Sequence, residues 1–248
     1  MAKQNPVSDI KIGHVTAHWA ESHGLSCNYF ESIDSTNAIA KEEAFNELEN
    51  IHLYIAETQT AGRGRGDHTW ENPEPGSSLL SSWSFQVQQA PTPFITSIIG
   101  ICLYNAAKNT WPFLDWNLKA PNDLYVGENK IAGLLTETVT QGNQFRLIIG
   151  LGLNVFDHPE SIKNSTDLFA ELQKLTSTDD KYDHFPLLGE DWIKFMDRFL
   201  FEICAAIPEA HTTPEFTMQQ SMLYLFNQHK NLKIKYPNFK SLQEDLWR

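Results

Sequence analysis

The chain has 248 residues, 41% of them hydrophobic and 12% aromatic, enough to bury a sizeable core in one large domain or in one domain with a small appendage. A formal net charge of -12 argues against a general binder of nucleic acid or of anionic membranes. Cys27, Cys102 and Cys204 lie far apart in apolar surroundings, the start at residues 1–8 is polar, and no apolar run reaches the length of about 18 residues that a membrane span needs. Reduced, buried thiols in a cytoplasmic protein are therefore expected.

Residues 1–25 carry mixed signals. A helical pair of His14 and His18 could hold a metal, but no carboxylate or third ligand is placed to complete a site, so these and His23 are read as surface or core histidines. Too little chain precedes Asn28 for an amino-terminal DNA-binding domain.

Residues 28–33 alternate as a strand does. Ser35, Thr36 and Asn37 then lead into a helix marked by Ala38, Ile39, Ala40, Ala44, Phe45 and Leu48. Helix capping explains those polar residues; hydroxyls and free N–H groups at a helix start can also hydrogen-bond a polar, uncharged ligand group. A strand over 53–57 feeds the loop Gln59-Thr60-Ala61-Gly62-Arg63-Gly64-Arg65-Gly66. Glycines spaced by arginines make poor helix and poor strand, and offer approachable backbone N–H groups beside fixed cations, a design for holding phosphate or carboxylate. Asp67, His68, Thr69 and Trp70 continue the irregular region to Ser77, with Trp70 either anchoring the loop or closing over a ligand.

A strand over 78–85 and a helix over 94–109 follow, the helix with Ile95, Ile98, Ile99, Cys102, Leu103 and Ala106 on a broad apolar face. The stretch 116–126 contains Lys119, Ala120, Pro121, Asn122 and Asp123. A turn at 127–129, a strand over 130–137 and a hairpin partner over 144–155, across Gly142-Asn143, complete the pattern. Strands, then a helix, then hairpin-joined strands describe an α+β fold with a mixed or antiparallel sheet packed against helices. Asp123 and Lys130 flank the tight turn and either pair in solvent or share a site.

The last strand ends in Gly150-Leu151-Gly152-Leu153-Asn154, whose glycines permit close backbone packing but lack the third glycine and following helix of a dinucleotide site. Ser165, Thr166 and Asp167 cap a further helix. Leu188, Trp192, Phe195, Met196, Phe199, Ile203 and Ile207 mark a longer amphipathic one. A helix candidate over 216–229 and a basic, aromatic tail over 232–248 close the chain.

Taken together, Ser35-Thr36-Asn37, the QTAGRGR run from Gln59 to Arg65, Lys119 with Pro121-Asn122-Asp123, Lys130-Ile131-Ala132-Gly133 and Gly150 to Asn154 resemble the catalytic domain of biotin-protein ligases, in order and over about residues 28–170. The resemblance implies a ligand set of biotin, ATP and Mg2+, with biotinyl-5′-adenylate formed and its biotinyl group passed to a lysine of a biotin carboxyl carrier domain. It implies that Ser35, Thr36, Asn37, Gln59, Gly62 and Gly133 serve biotin, with Arg63, Arg65 and Lys130 near its carboxylate. Lys130, Arg63 and Asp123 would be catalytic. Arg65, Trp70, Asn122, Lys119 and Asn154 would serve the nucleotide, and Asp123 the metal.

The same resemblance implies a catalytic domain over 1–210 and, over 211–248, a reduced form of the family's small carboxy-terminal domain. It implies no DNA partner and leaves a homodimer open. Departures are Ala120 where the family usually has Trp, and Gly66-Asp67-His68-Thr69 where further arginine is common. A non-catalytic biotin- or adenylate-binding module and a lipoate or octanoate transferase of the same fold are the alternatives.

Overall fold

The computed structural model describes residues 10–46, 49–71, 74–176 and 189–212. Residues 1–8, Leu48, Leu188, the helix expected over 216–229 and the tail over 232–248 lie outside the described residues, as does the segment 211–248 beyond Thr212.

The elements run α1 (Ile12–Ser22), β1 (Ser26–Phe30), α2 (Thr36–Glu42), β2 (Ile51–Ala56), β3 (Ser78–Val87), α3 (Ile95–Thr110), β4 (Trp116–Lys119), β5 (Asp123–Val126), β6 (Asn129–Gln141), β7 (Gln144–Asn154), α4 (Leu168–Thr176) and α5 (Glu190–Thr212). The strands form one seven-stranded sheet in the order β1-β2-β3-β7-β6-β5-β4. Among the described strands β1 and β2 pair in parallel and the other neighbouring pairs are antiparallel, which gives the expected α+β architecture.

The period-2 alternation of β7 assigns its two faces. Leu147, Ile149, Leu151 and Leu153 are buried in the main core, whereas Ile148, Gly150 and Gly152 point the other way. On the main-core face α1, α3 and α5 cover the sheet. Trp83 of β3 meets Trp19 of α1 at 5.9 Å and Phe199 of α5 at 5.5 Å between ring centroids, and the Thr96 hydroxyl of α3 bonds that of Thr136 on β6. Among the described residues the opposite face carries a small apolar cluster, Ala40 of α2 with Tyr54 and Ile148 beneath it. A sheet covered so unequally leaves a cleft beside α2, over the two glycines.

The structure adds one helix that the sequence left unassigned and corrects two expectations. Residues 12–22 form a helix despite their mixed signals, because Ile12, Ala17, Trp19 and Ala20 are buried and the carboxylate of Glu57, itself only 1% exposed, accepts hydrogen bonds from Gly13 N at 3.2 Å and His14 N at 2.7 Å. The helix expected through Ala44 and Phe45 stops at Glu42, and residues 43–46 form turns. The cysteines are free, but only Cys102 is fully buried; Cys27 is half-buried and Cys204 exposed on α5. No helix among the described residues is long and apolar enough to cross a membrane.

Candidate active site

The cleft is a cavity of about 520 Å³ walled by α2, the glycine-arginine segment, the β4-β5 turn, the start of β6 and the floor of β7. That volume suits a small-molecule ligand. Its floor explains the Gly-Leu-Gly-Leu-Asn run: the leucines fill the core while the glycines leave room above. A Cβ on Gly150 would lie 2.3 Å from Asn37 Oδ1, and one on Gly152 would lie 2.5 Å from the Trp70 ring.

At one end the cavity is polar and uncharged. Ser35 occupies the N-cap position of α2 yet makes no side-chain cap bond; Gln59 does so instead, its Oε1 accepting from Thr36 N at 2.7 Å and Thr36 Oγ1 at 3.1 Å. The orphan donor at the helix start is thus satisfied from a loop more than twenty residues away in sequence. The Asn37 amide is engaged on both sides, donating to Leu135 O at 3.3 Å and Glu137 Oε2 at 3.0 Å and accepting from Ser82 Oγ at 2.5 Å.

The segment expected to be irregular is a narrow hairpin. Arg63 bridges Thr69, Gly64 N donates to His68 O at 2.8 Å and Trp70 N donates to Gly62 O at 3.0 Å, with Gly66 at φ 65° in the turn. Gly62 is required by that closure, since a Cβ there would stand 2.5 Å from Trp70 O. The hairpin displays Arg63 and Arg65 as exposed side chains over the cavity. Asp67 is exposed near its tip.

At the cationic end, Lys130 Nζ stands 2.8 Å from Asp123 Oδ1 and 5.8 Å from the Trp70 ring centre. Their side chains are 32% and 20% exposed, so the pair belongs to the cavity wall rather than to open solvent. It is a charge contact without hydrogen-bond alignment. Lys119 lies 5.7 Å over the Tyr125 ring, and Asn122 Nδ2 donates to Leu134 O at 2.9 Å, which pins the turn to β6.

Of the residues singled out from sequence, Ser35, Thr36, Asn37, Gln59, Arg63, Arg65, Trp70, Lys119, Asn122, Asp123, Lys130 and Gly133 line this one cavity. Gly62 instead borders an adjoining cavity of about 540 Å³, with Trp70 shared between the two. Asn154 does not line the cavity: it sits buried at the end of β7, Nδ2 donating to Thr166 O at 3.0 Å and Oδ1 without a partner.

Among the described residues no group of three or more His, Cys, Asp or Glu side chains is placed to hold a metal ion. The Asp123 carboxylate on the cavity wall is nonetheless an oxygen donor a magnesium ion would accept if it arrived with its phosphates and kept its waters, which is that ion's habit.

Sequence reasoning missed Glu137, Lys41 and Ser82. Glu137 Oε1 accepts from Lys41 Nζ at 2.8 Å and lies 3.8 Å from Arg63 NH1. Burial pushes its carboxyl upward, but the hydrogen bonds from Lys41 and Asn37 and the charges of Lys41 and Arg63 outweigh burial and hold it below its ordinary value. The available signal was alternation: Gly133, Leu135 and Glu137 share a face of β6, and Lys41 lies one helical turn after Asn37.

The family model described as biotin/lipoate A/B protein ligase matches residues 29–154. The chain is 27% identical over 177 residues to the chloroplastic biotin–protein ligase 1 of Arabidopsis thaliana, covering 68% of this chain and 46% of that protein. It is 30% identical over 156 residues to the bifunctional ligase/repressor BirA of Bacillus subtilis, covering 61% and 46%. With the BirA of Escherichia coli it shares 35% over 126 residues, covering 50% and 38%. The chain thus spans less than half the length of these curated relatives.

Among solved structures, the biotin protein ligase of Leishmania major in complex with biotin superposes with a TM-score of 0.61 at 19% identity, covering 83% of this chain and 81% of that one. The Aquifex aeolicus biotin protein ligase in complex with biotin and ATP gives 0.58 at 22%, covering 83% and 78%. At those identities the likeness establishes the fold.

Proposed function

Starting from the fact that the chain belongs to the biotin/lipoate A/B protein ligase family, we propose that it activates biotin with ATP and transfers the biotinyl group to one lysine of a biotin carboxyl carrier domain. The observation that carries this reading is the polarity of this cavity, with uncharged hydrogen-bonding groups at Ser35, Thr36 and Gln59, Lys119 and Lys130 by the β4-β5 turn, and Arg63 and Arg65 on the hairpin. Biotin has that polarity, a neutral ureido ring at one end and a carboxylate at the other.

In the first step a biotin carboxylate oxygen attacks the α-phosphorus of ATP, the acyl–O–P bond forms, and the bond to the β-phosphate oxygen breaks to release pyrophosphate. Two anions must approach, so fixed cations relieve the repulsion in the barrier. Arg63 supplies a planar fork for carboxylate or phosphate, and Lys130, held by Asp123, a compact point charge. Magnesium, carried by the phosphates beside Asp123, would neutralise further charge there. In the second step the carrier lysine's neutral amine attacks the acyl carbon, and AMP leaves with its phosphate. A hairpin standing over the cavity limits the water that could hydrolyse the adenylate in between.

A cytoplasmic setting is part of the proposal, supported by three free cysteines. Incubating the protein with biotin, Mg-ATP and a carrier domain, then weighing the carrier by mass spectrometry, tests ligand, chemistry and partner together. The expected result is one added biotinyl group and no product with lipoate or octanoate; an unmodified carrier together with no biotinyl-adenylate would refute the reading.

A further inference from the structure

Building on that reaction, we propose that Glu137 is the positioning residue for Arg63: its carboxylate, shared with Lys41, holds the guanidinium at the cavity and ties the arginine hairpin to β6 and α2. Two separate elements converge on this one side chain of β6: α2 through Asn37 Nδ2 at 3.0 Å and Lys41 Nζ at 2.8 Å, and the hairpin through Arg63 NH1 at 3.8 Å. A carboxylate beside a site for an anionic ligand would by itself repel that ligand. Here the cluster of Lys41, Glu137 and Arg63 sets two positive charges against one negative and stays net positive, with Arg63 as its member on the cavity.

The spacing to Arg63 is the informative one. At 3.8 Å it is too long for a hydrogen bond, so Glu137 orients the guanidinium by charge and consumes none of its donors. Those donors stay available for a bidentate grip on carboxylate or phosphate. Glu137 itself cannot drift, because two hydrogen bonds hold it and its side chain is only 20% exposed. The Arg63 side chain is 50% exposed and gains more order from such a partner than a packed residue would.

The decisive comparison is Glu137→Gln, which keeps the shape and the bond from Asn37 and removes the charge, made alone and together with Arg63→Ala. In the otherwise native protein the kcat/KM for biotin in adenylate formation should fall about tenfold, and in the Arg63→Ala protein by no more than about twofold, since nothing is left to position. Glu137→Asp, which retains the charge, should recover about a third of the native rate or more.

Equal losses in both backgrounds, as from a general loss of folding, would overturn the proposal. A second readout needs no biotin: tryptic cleavage after Arg63 or Arg65 in the ligand-free protein should be about threefold faster in Glu137→Gln, because local opening governs cleavage. An unchanged cleavage rate would overturn the proposal even if the native protein formed no adenylate, an outcome that would count against the ligase reading alone.

Discussion

Lys130 is held at the cavity wall by Asp123 and lies over Trp70, while Arg63 reaches the same space from the hairpin on the opposite wall. Two cations on different supports can bracket a carboxylate and a phosphate that one support could not. Lys130→Ala and Arg63→Ala should therefore each slow adenylate formation at least about tenfold, or about 1.4 kcal/mol of transition-state stabilisation, measured as pyrophosphate release. The floor offers a test that leaves every charge in place. Gly152→Ala would put a methyl carbon 2.5 Å from the Trp70 indole, so the indole must move off the floor. Weaker biotin binding by about tenfold, with a changed tryptophan emission, is the expected outcome by calorimetry and fluorescence. Gly150 and Gly152 were legible in the sequence as positions of close packing; what packs on them was not, because Asn37 and Trp70 arrive from chain segments about a hundred residues away.

At the scale of elements, α1 is the part that local sequence least announces. Its first residues depend on Glu57, which sits at the end of β2, accepts from two α1 backbone N–H groups and also from the Tyr29 hydroxyl at 2.8 Å. Glu57→Ala would leave the Gly13 and His14 N–H groups without an acceptor and the Tyr29 hydroxyl with Glu31 at 3.3 Å alone, and should lower stability by about 2 kcal/mol in urea unfolding. Alpha-helix α2 follows the same logic in miniature: its start is recognisable from Ser35, Thr36 and Asn37, yet the acceptor at its first N–H is Gln59. Helix existence is a matter of periodicity, whereas the partner of a helix end is a matter of which loop passes by. The arginine hairpin makes the converse point. Its composition resists regular structure, and it is ordered by hydrogen bonds between Gly62 and Trp70 and between Gly64 and His68 that glycine alone can approach closely enough to make.

For the whole molecule, the acid branch of the stability curve should report the Glu137 carboxylate, which joins β6 to α2. Glu137 has its carboxyl lowered from an ordinary value of 4.5, so its contribution is present above pH 4.5 and is lost as the pH falls below that and through the lowered value. Denaturant midpoints should consequently fall more steeply below pH 4.5 in the native protein than in Glu137→Gln; parallel curves would argue against the Lys41–Glu137 pair as a contributor to stability. The net charge of -12 adds a broad background common to both proteins, which is why the difference between them is the quantity to read.

The sequence by itself determined the α+β class, the hairpin of β6 and β7, the long apolar stripe of α5 and most of the residues that wall the cavity. Those follow from periods of two and 3.6 and from turn chemistry, which are local properties of the chain. Only the tertiary structure decided that α1 forms, that Gln59 caps α2, that Trp70 lies on Gly152, and that Lys41, Glu137 and Arg63 meet. Each of those depends on side chains brought together by the pairing of β1 with β2, β3 with β7 and β6 with β7. Strand order is a long-range choice made by burying one face of the sheet, and no local spacing encodes which side chains then meet on the other.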